Sequence, residues 1–296
     1  MFKHTIGVDL GGTNLRVALV SESGRIIKEL SRKTEANKGP DFVLANLVEM
    51  IKTTQGDNEV GSIGIGCPGP LDPYHGVILS PPNLPGWDEV PLVQMLEQHF
   101  SVPIVLDNDA NAAALAEAKL GAGVGHQSVY YITWSTGIGG GFVIDGKLFK
   151  GAQGYAGEIG NMIIQPKGYQ HANLNAGALE AVASGTAIGR IGKLKLGISG
   201  GAEEVFRLAE QGQIEAIAIL EEAVDYLAMG MANIVHCINP EVFILGGGVM
   251  QSKELVFEKL LDTVRGYVYP TLQDQILIKP AALETKAGII GAALLR

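Results

Sequence analysis

The chain has 296 residues, 47% of them hydrophobic, and a formal charge of −9 from 22 Lys and Arg against 31 Asp and Glu. That length and apolar content suit a large core divided between two lobes, and the acidic balance excludes non-specific binding to nucleic acid or anionic lipid. No apolar run is long enough to span a bilayer, and the start, MFKHTIGVDLGG, enters a strand with no signal-peptide pattern. Cys67 and Cys237 alone provide neither a disulfide framework nor a thiolate zinc cluster, so a reduced, cytoplasmic, metabolic protein is expected.

Residues 5–20, TIGVDLGGTNLRVALV, predict two short strands joined by Asp9, Leu10, Gly11, Gly12, Thr13 and Asn14. A plain hairpin is one reading. The other is an anion-binding turn, in which the glycine pair exposes backbone N–H groups, Thr13 and Asn14 add polar side chains, and Asp9 holds a hydrated Mg²⁺. PDFVLANLVEMIKTT, at 40–54, has helical spacing, and VGSIGIGC, at 60–67, reads as a strand. Gly64 to Gly69 literally satisfies the dinucleotide fingerprint G-x-G-x-x-G, but that motif must open a helix, and Pro68, Pro70 and Pro73 forbid one. The loop PGPLDPYHG is then either an ordinary Pro-rich turn or backbone offered to a ligand near Gly69. PPNLPGW, at 81–87, is a rigid loop whose Asn83 amide could meet a ligand hydroxyl. A second helix, PLVQMLEQHF, and a strand, PIVLD, follow.

The stretch 105–160 carries the chemistry. Asp107, Asn108 and Asp109 precede an Ala-rich helix, where one of them is needed as an N-cap and three exceed the requirement. A carboxylate fixed at a strand-to-helix junction can accept a proton from an attacking hydroxyl; Asp109 is the candidate base, with Asn108 beside it gripping the substrate. Ser135 to Gly141 form a second small-residue turn between strands. Strand, turn and strand at 5–19 thus recur at 129–149, a weak internal repeat expected to give two lobes of similar build, with two phosphate-holding hairpins across one cleft. No GxxxxGK[ST] loop is present, which excludes a P-loop enzyme. Glu158, with Asn161 close behind it, and Glu180 are candidates: a lone Glu is usually a surface charge, but both glutamates stand in glycine-rich and apolar surroundings where solvated faces are less expected. A long apolar helix at 215–237 stops at Asn239-Pro240, the strand EVFIL runs into Gly246, Gly247 and Gly248 where a helix would start, and AGIIGAALLR closes the chain as an apolar helix.

Taken in order, DLGGTN, NDANAAALAE, STGIGGG, GxxGxAGEIG, LEAVASG and NPEVFILGGGV resemble the ROK family (repressor, open reading frame, kinase) of bacterial sugar kinases. The resemblance implies an α/β, two-lobed actin-like ATPase (ribonuclease H-like) fold. The small lobe would hold residues 1–115, with a C-terminal helix at about 284–296 packing back on it, and the large lobe residues 116–283. It implies ATP-dependent phosphorylation of a hexose, first of all glucose to glucose 6-phosphate, with Asp109 as base. Sugar contacts would fall on Gly69, Asn83, Asn108, Asp109, Glu158, Asn161 and Glu180. Nucleotide contacts would fall on Asp9, Gly11, Gly12, Thr13, Asn14, Thr136, Gly137, Gly139, Gly247 and Gly248, with Mg²⁺ on Asp9 through water. A homodimer with no nucleic-acid or membrane partner is the expected form.

One departure bears on specificity. The family pattern has His after EIG and a zinc loop CxCGxxGCxE, whereas this chain has Asn161, and His171 to Glu180 read HANLNAGALE. A lone His171 cannot make a tetrahedral zinc site, so no structural zinc is expected, with hydrogen bonds or apolar packing shaping the loop instead. The sugar therefore stays open between glucose, N-acetylmannosamine and a β-glucoside. A sugar-sensing repressor would need a DNA-binding domain ahead of DLGGTN, and a non-catalytic sugar binder would not need Asp109 and both glycine turns.

Overall fold

The computed structural model describes residues 4–296. In chain order the first elements are β1 (His4–Leu10), β2 (Asn14–Ser21), β3 (Ile26–Lys33), α1 (Pro40–Gln55), β4 (Val60–Cys67), β5 (Leu71–Asp72), β6 (Val77–Ile78), α2 (Leu92–Glu97), β7 (Ile104–Asn108) and α3 (Asp109–Leu120). Then come β8 (Ser128–Trp134), β9 (Ile138–Ile144), β10 (Lys147–Leu148), α4 (Leu179–Ala183), α5 (Gly185–Leu196), α6 (Gly201–Glu210), α7 (Ile214–Ile238), β11 (Val242–Gly246), α8 (Lys253–Tyr267), β12 (Ile278–Pro280) and α9 (Ala287–Leu294). The chain divides into two compact units: one holds residues up to Gly125, Gly141–Ala156 and Ala282–Arg296, the other His126–Gly140 and Gly157–Ala281.

In the first unit the sheet runs β3-β2-β1-β4-β7, antiparallel from β3 to β1 and parallel from β1 to β7. The β-branched runs of β1 and β4 are buried, while β3, IIKELSRK, is a polar edge strand, the charged kind that blunts edge-to-edge pairing. α9 packs on β1, β4 and α3. It lies so close that a Cβ on Gly7 would strike the Ile289 carbonyl, and one on Gly64 the Ala292 carbonyl. Gly64 is therefore a strand position that admits a helix, and no helix directly follows β4. Glu117 of α3 is fully buried and satisfied by three backbone donors: Ala122 N–H at 2.9 Å, Ala282 N–H at 3.1 Å and Leu283 N–H at 2.7 Å. A buried carboxylate survives only when bonded in this way, and here it ties the segment leading out to Gly125 to the one returning at Ala282.

In the second unit β8, β11 and β12 are parallel, within the sheet order β10-β9-β8-β11-β12. The chain passes between units inside β9, after Gly140. α7 buries a continuous apolar face that includes Leu220, Leu227 and Met231, and ends at Asn239, in the left-handed conformation at φ 46°. The stretch from 179 forms the short α4, broken at Ser184, whose hydroxyl accepts the Ala187 N–H at 3.1 Å to cap α5. Among the described residues no helix is long and apolar enough to cross a membrane.

Candidate active site

Three pieces of the first unit converge. Asp9 lies near the end of β1, where burial lifts its carboxyl above the ordinary range; Arg16 opposes the lift, and the charges of Asp109 and Glu29 add to it. The Arg16 guanidinium is a shared clasp, with Nη1 at 3.4 Å from Asp9 Oδ2 and 3.0 Å from the Thr285 carbonyl, and Nε at 3.0 Å from Glu29. In the turn, Gly11 N–H donates to the Asn14 carbonyl at 3.0 Å, and Lys33 engages the Asn14 side chain at 3.1 Å. Gly12 presses on Asn83, so a Cβ there would strike the Asn83 backbone. The glycine turn and the Pro-rich loop are thus in contact. Gly69 stands two residues past Cys67, whose thiol is pushed up by burial and by the charges of Asp109 and Asp9.

The third piece is the β7–α3 junction. Asn108, not a residue further along, is the N-cap: its Oδ1 accepts the Ala110 N–H at 2.8 Å, and Asp109 is already the first helical residue. Asp109 Oδ1 shares that same N–H at 2.8 Å, which orients the carboxylate. Water reaches Asp109, yet protein surrounds it closely enough that desolvation lifts its carboxyl, against the pull of the backbone N–H groups of Ala110 and Asp109 itself. The result is a fixed, accessible carboxylate that, when ionised, can accept a proton.

In the second unit the Ser135–Gly137 turn is bound on both sides. Ser135 N–H donates to the Gly137 carbonyl at 2.9 Å, and Ile138 N–H to Glu180 Oε2 at 2.8 Å. The start of α5 grips it as well, Gly185 N–H to the Ser135 carbonyl at 2.8 Å and Thr186 N–H to the Thr136 carbonyl at 3.1 Å. Those bonds do not use the N–H groups of Thr136 and Gly137. Gly139 lies inside β9, and a Cβ on Gly160, beside Asn161, would strike the Ile138 carbonyl and come within 3.5 Å of Glu180 Cβ. Glu158 is exposed at the head of the short helical turn Ile159–Asn161, where its charge adds to burial in pushing up the Tyr130 hydroxyl.

The loop that departs from the zinc pattern is held by hydrogen bonds. Asn161 Oδ1 accepts the Asn175 N–H at 2.7 Å, and the Asn175 amide returns a bond to the Asn161 carbonyl at 3.3 Å. Tyr169 stacks on His171, and the Arg190 guanidinium lies 3.8 Å over the Tyr169 ring. Gly177, at φ 72°, passes so near the Gln165 backbone that no side chain would fit.

A cavity of about 930 Å³ opens in this unit beside Thr136 and Gly248. Arg190, Lys193 and Arg207 line it together with Glu203 and Glu210, and Phe206 gives it an apolar wall. Gly247, at φ 93°, lies flush on the Trp134 backbone and lets the chain turn into Gly248. The volume is of the order that holds a nucleotide, near the upper end of ordinary ligand pockets. Most of its lining, α5 and α6 above all, went unread in the sequence. Arg190 and Lys193, three apart behind a Ser-capped glycine-rich helix start, were the available signal.

An acceptor hydroxyl needs a base, and a polyphosphate needs backbone N–H groups and cations. A chain that offers both belongs to the small-molecule kinases. Residues 5–296 match the ROK family, and the chain is a member of it. It is 37% identical to the glucokinase of Thermotoga maritima, over 97% of this chain and 95% of that one. The crystal structure of the ROK hexokinase from Thermus thermophilus superposes with a TM-score of 0.90 at 35% identity, covering 98% of this chain and 97% of that one. The ROK glucokinase of Streptomyces griseus, solved in complex with glucose and AMPPNP, superposes with a TM-score of 0.81 at 32% identity, covering 98% of both chains. This protein is a glucokinase-like sugar kinase with the actin-like ATPase fold.

Proposed function

We propose that the protein transfers the γ-phosphoryl group of ATP to the 6-hydroxyl of glucose, with Asp109 as general base. The observation that carries this is the accessible Asp109 carboxylate, oriented by the Ala110 N–H at the head of α3 and placed near Asp9. The hydroxyl oxygen bonds to the γ-phosphorus as the bond from phosphorus to the β-bridging oxygen breaks. Asp109 takes the proton, and ADP leaves. Asn83, Asn108, Glu158, Asn161 and Glu180 would orient the sugar, with Gly69 offering backbone. The turns at Gly11–Asn14 and Thr136–Gly139, with Gly247 and Gly248, would hold the nucleotide. Positioning and charge neutralisation do most of the work in such a transfer.

Mg²⁺ fits Asp9 through water. A single accessible carboxylate beside a phosphate turn suits an ion that keeps its waters and binds phosphate oxygens, and no cluster of three or more His, Cys, Asp or Glu occurs among the described residues. When bound, the ion neutralises phosphate charge. A cytoplasmic homodimer feeding glycolysis belongs to the same reading, on the strength of family membership.

One observation favours a second substrate. Asn161 Oδ1 already accepts the Asn175 N–H, which leaves the NH₂ of the Asn161 amide as a donor that an N-acetyl carbonyl would accept. The test is ADP release with MgATP over glucose, mannose, fructose, N-acetylmannosamine, N-acetylglucosamine and a β-glucoside. Preferred turnover of glucose supports the reading. Turnover of N-acetylated sugars alone keeps the mechanism and replaces the substrate, and no turnover with any sugar overturns it.

A further inference from the structure

The junction that carries Asn108 and Asp109 rests on a carboxylate the reaction does not consume. Asp107, the residue before them, is completely buried. Its Oδ1 accepts the Asn108 N–H at 2.8 Å and the Asn111 amide at 2.9 Å, and its Oδ2 lies 2.8 Å from the Lys150 ammonium. Lys150 follows β10 and is anchored independently of Asp107. Its neighbour Gly151 accepts the Tyr74 hydroxyl at 2.5 Å, and the ammonium itself sits 6.0 Å from the centre of the Tyr74 ring. Gly141 of β9 closes the same corner, where a Cβ would come within 2.9 Å of Asn111 Oδ1 and 3.1 Å of the Ala110 carbonyl.

Capping does not explain this arrangement, because Asn108 already caps α3. Nor does net stability explain it, since a buried ion pair seldom outperforms apolar residues of the same volume. What the pair provides is direction. Lys150 decides which oxygen of Asp107 faces away from the helix, and the other oxygen fixes the Asn108 N–H and, through Asn111, the first turn of α3.

We infer that Asp107 and Lys150 are a positioning pair for the base: they touch no substrate, and they set the backbone from which Asn108 and Asp109 project. The inference rests on the reading of Asp109 as base. Small misplacements of a catalytic group are costly, so the effect belongs in kcat. In Asp107→Asn the amide turns its oxygen to Lys150 and its NH₂ to the Asn108 N–H, setting donor against donor. Lys150→Met removes the reason for that flip.

The experiment is steady-state kinetics on the holo protein with MgATP and the best sugar, for wild type, D107N, K150M, K150R and D107N/K150M, with thermal melts alongside. The expected result is a fall in kcat of about tenfold or more in D107N, with KM for ATP within about twofold, since the nucleotide contacts are untouched. K150R recovers most of the K150M loss, and D107N/K150M is faster than D107N. The pair is overturned if folded D107N turns over like wild type, or if the double variant loses the product of the two single losses. The two readings fail separately: wild-type turnover by D109A overturns Asp109 as base, whereas a dead D109A beside an unimpaired D107N overturns only the positioning pair.

Discussion

The two glycine turns look alike in sequence and are equipped differently. The first, at Asp9–Asn14, is preceded by an ionisable group: Asp9 is held by Arg16 and raised by burial, and Gly12 presses on the Asn83 loop. The second, at Ser135–Gly137, has no carboxylate of its own. It borrows Glu180, which accepts the Ile138 N–H, and it is gripped by the start of α5 at the edge of the cavity. The framework of strand, turn and strand recurs, and its equipment differs: the carboxylates Asp9 and Asp109 stand in the first unit, and Glu180 and the cavity lined by α5 and α6 in the second.

The division can be broken from either side. The largest effect is expected for Asp109→Ala, about 10³-fold in kcat with sugar binding still measurable by calorimetry, as suits loss of a general base. Gly137→Ala should come next. Its Cβ would land 2.5 Å from Glu180 Oε2, so Glu180 must move. Losing a hydrogen bond from a charged group should raise KM for the sugar by about tenfold or more, read from saturation curves. A change in KM for ATP alone would show that Glu180 does not serve the sugar.

Arg16→Met sharpens the picture of the first turn. Activity needs Asp9 and Asp109 ionised, and both carboxyls are raised, so kcat/KM should fall with pH somewhat above the ordinary carboxylate range. Arg16 lowers Asp9, so its removal lifts Asp9 further and moves the acidic limb to higher pH. A limb that stays in place would remove Asp9 from the reaction. The smallest effect is none: a zinc chelator should leave sugar turnover unchanged, because hydrogen bonds between Asn161 and Asn175 hold the loop. Chelator-sensitive turnover would mean that this loop takes a metal after all.

Much of the frame was legible because its elements obey periodicity: β1, β2, α1, β4, α7 and α9 lie where β-branched runs and helical spacing put them. The place of Asp109 at a strand-to-helix junction was legible as well, since a β-branched run leads into an Ala-rich helix there. α5 was not, because GTAIGRIGKLKL carries three glycines where helix propensity asks for none. The structure supplies the reason: Gly189 packs on the Gly201–Ala202 backbone and Gly192 on Val205, a close approach of α5 to α6 that local pattern cannot reveal. Lys150 opposite Asp107 and Asn175 opposite Asn161 were equally hidden, since each partner is brought in by a turn or a neighbouring element.

The most direct test of the account measures both products from wild-type enzyme given MgATP and glucose. ADP is followed by one coupling enzyme, and glucose 6-phosphate by NADPH formation with glucose-6-phosphate dehydrogenase. The account predicts the two in equal amounts. ADP without glucose 6-phosphate, or neither product, would contradict it.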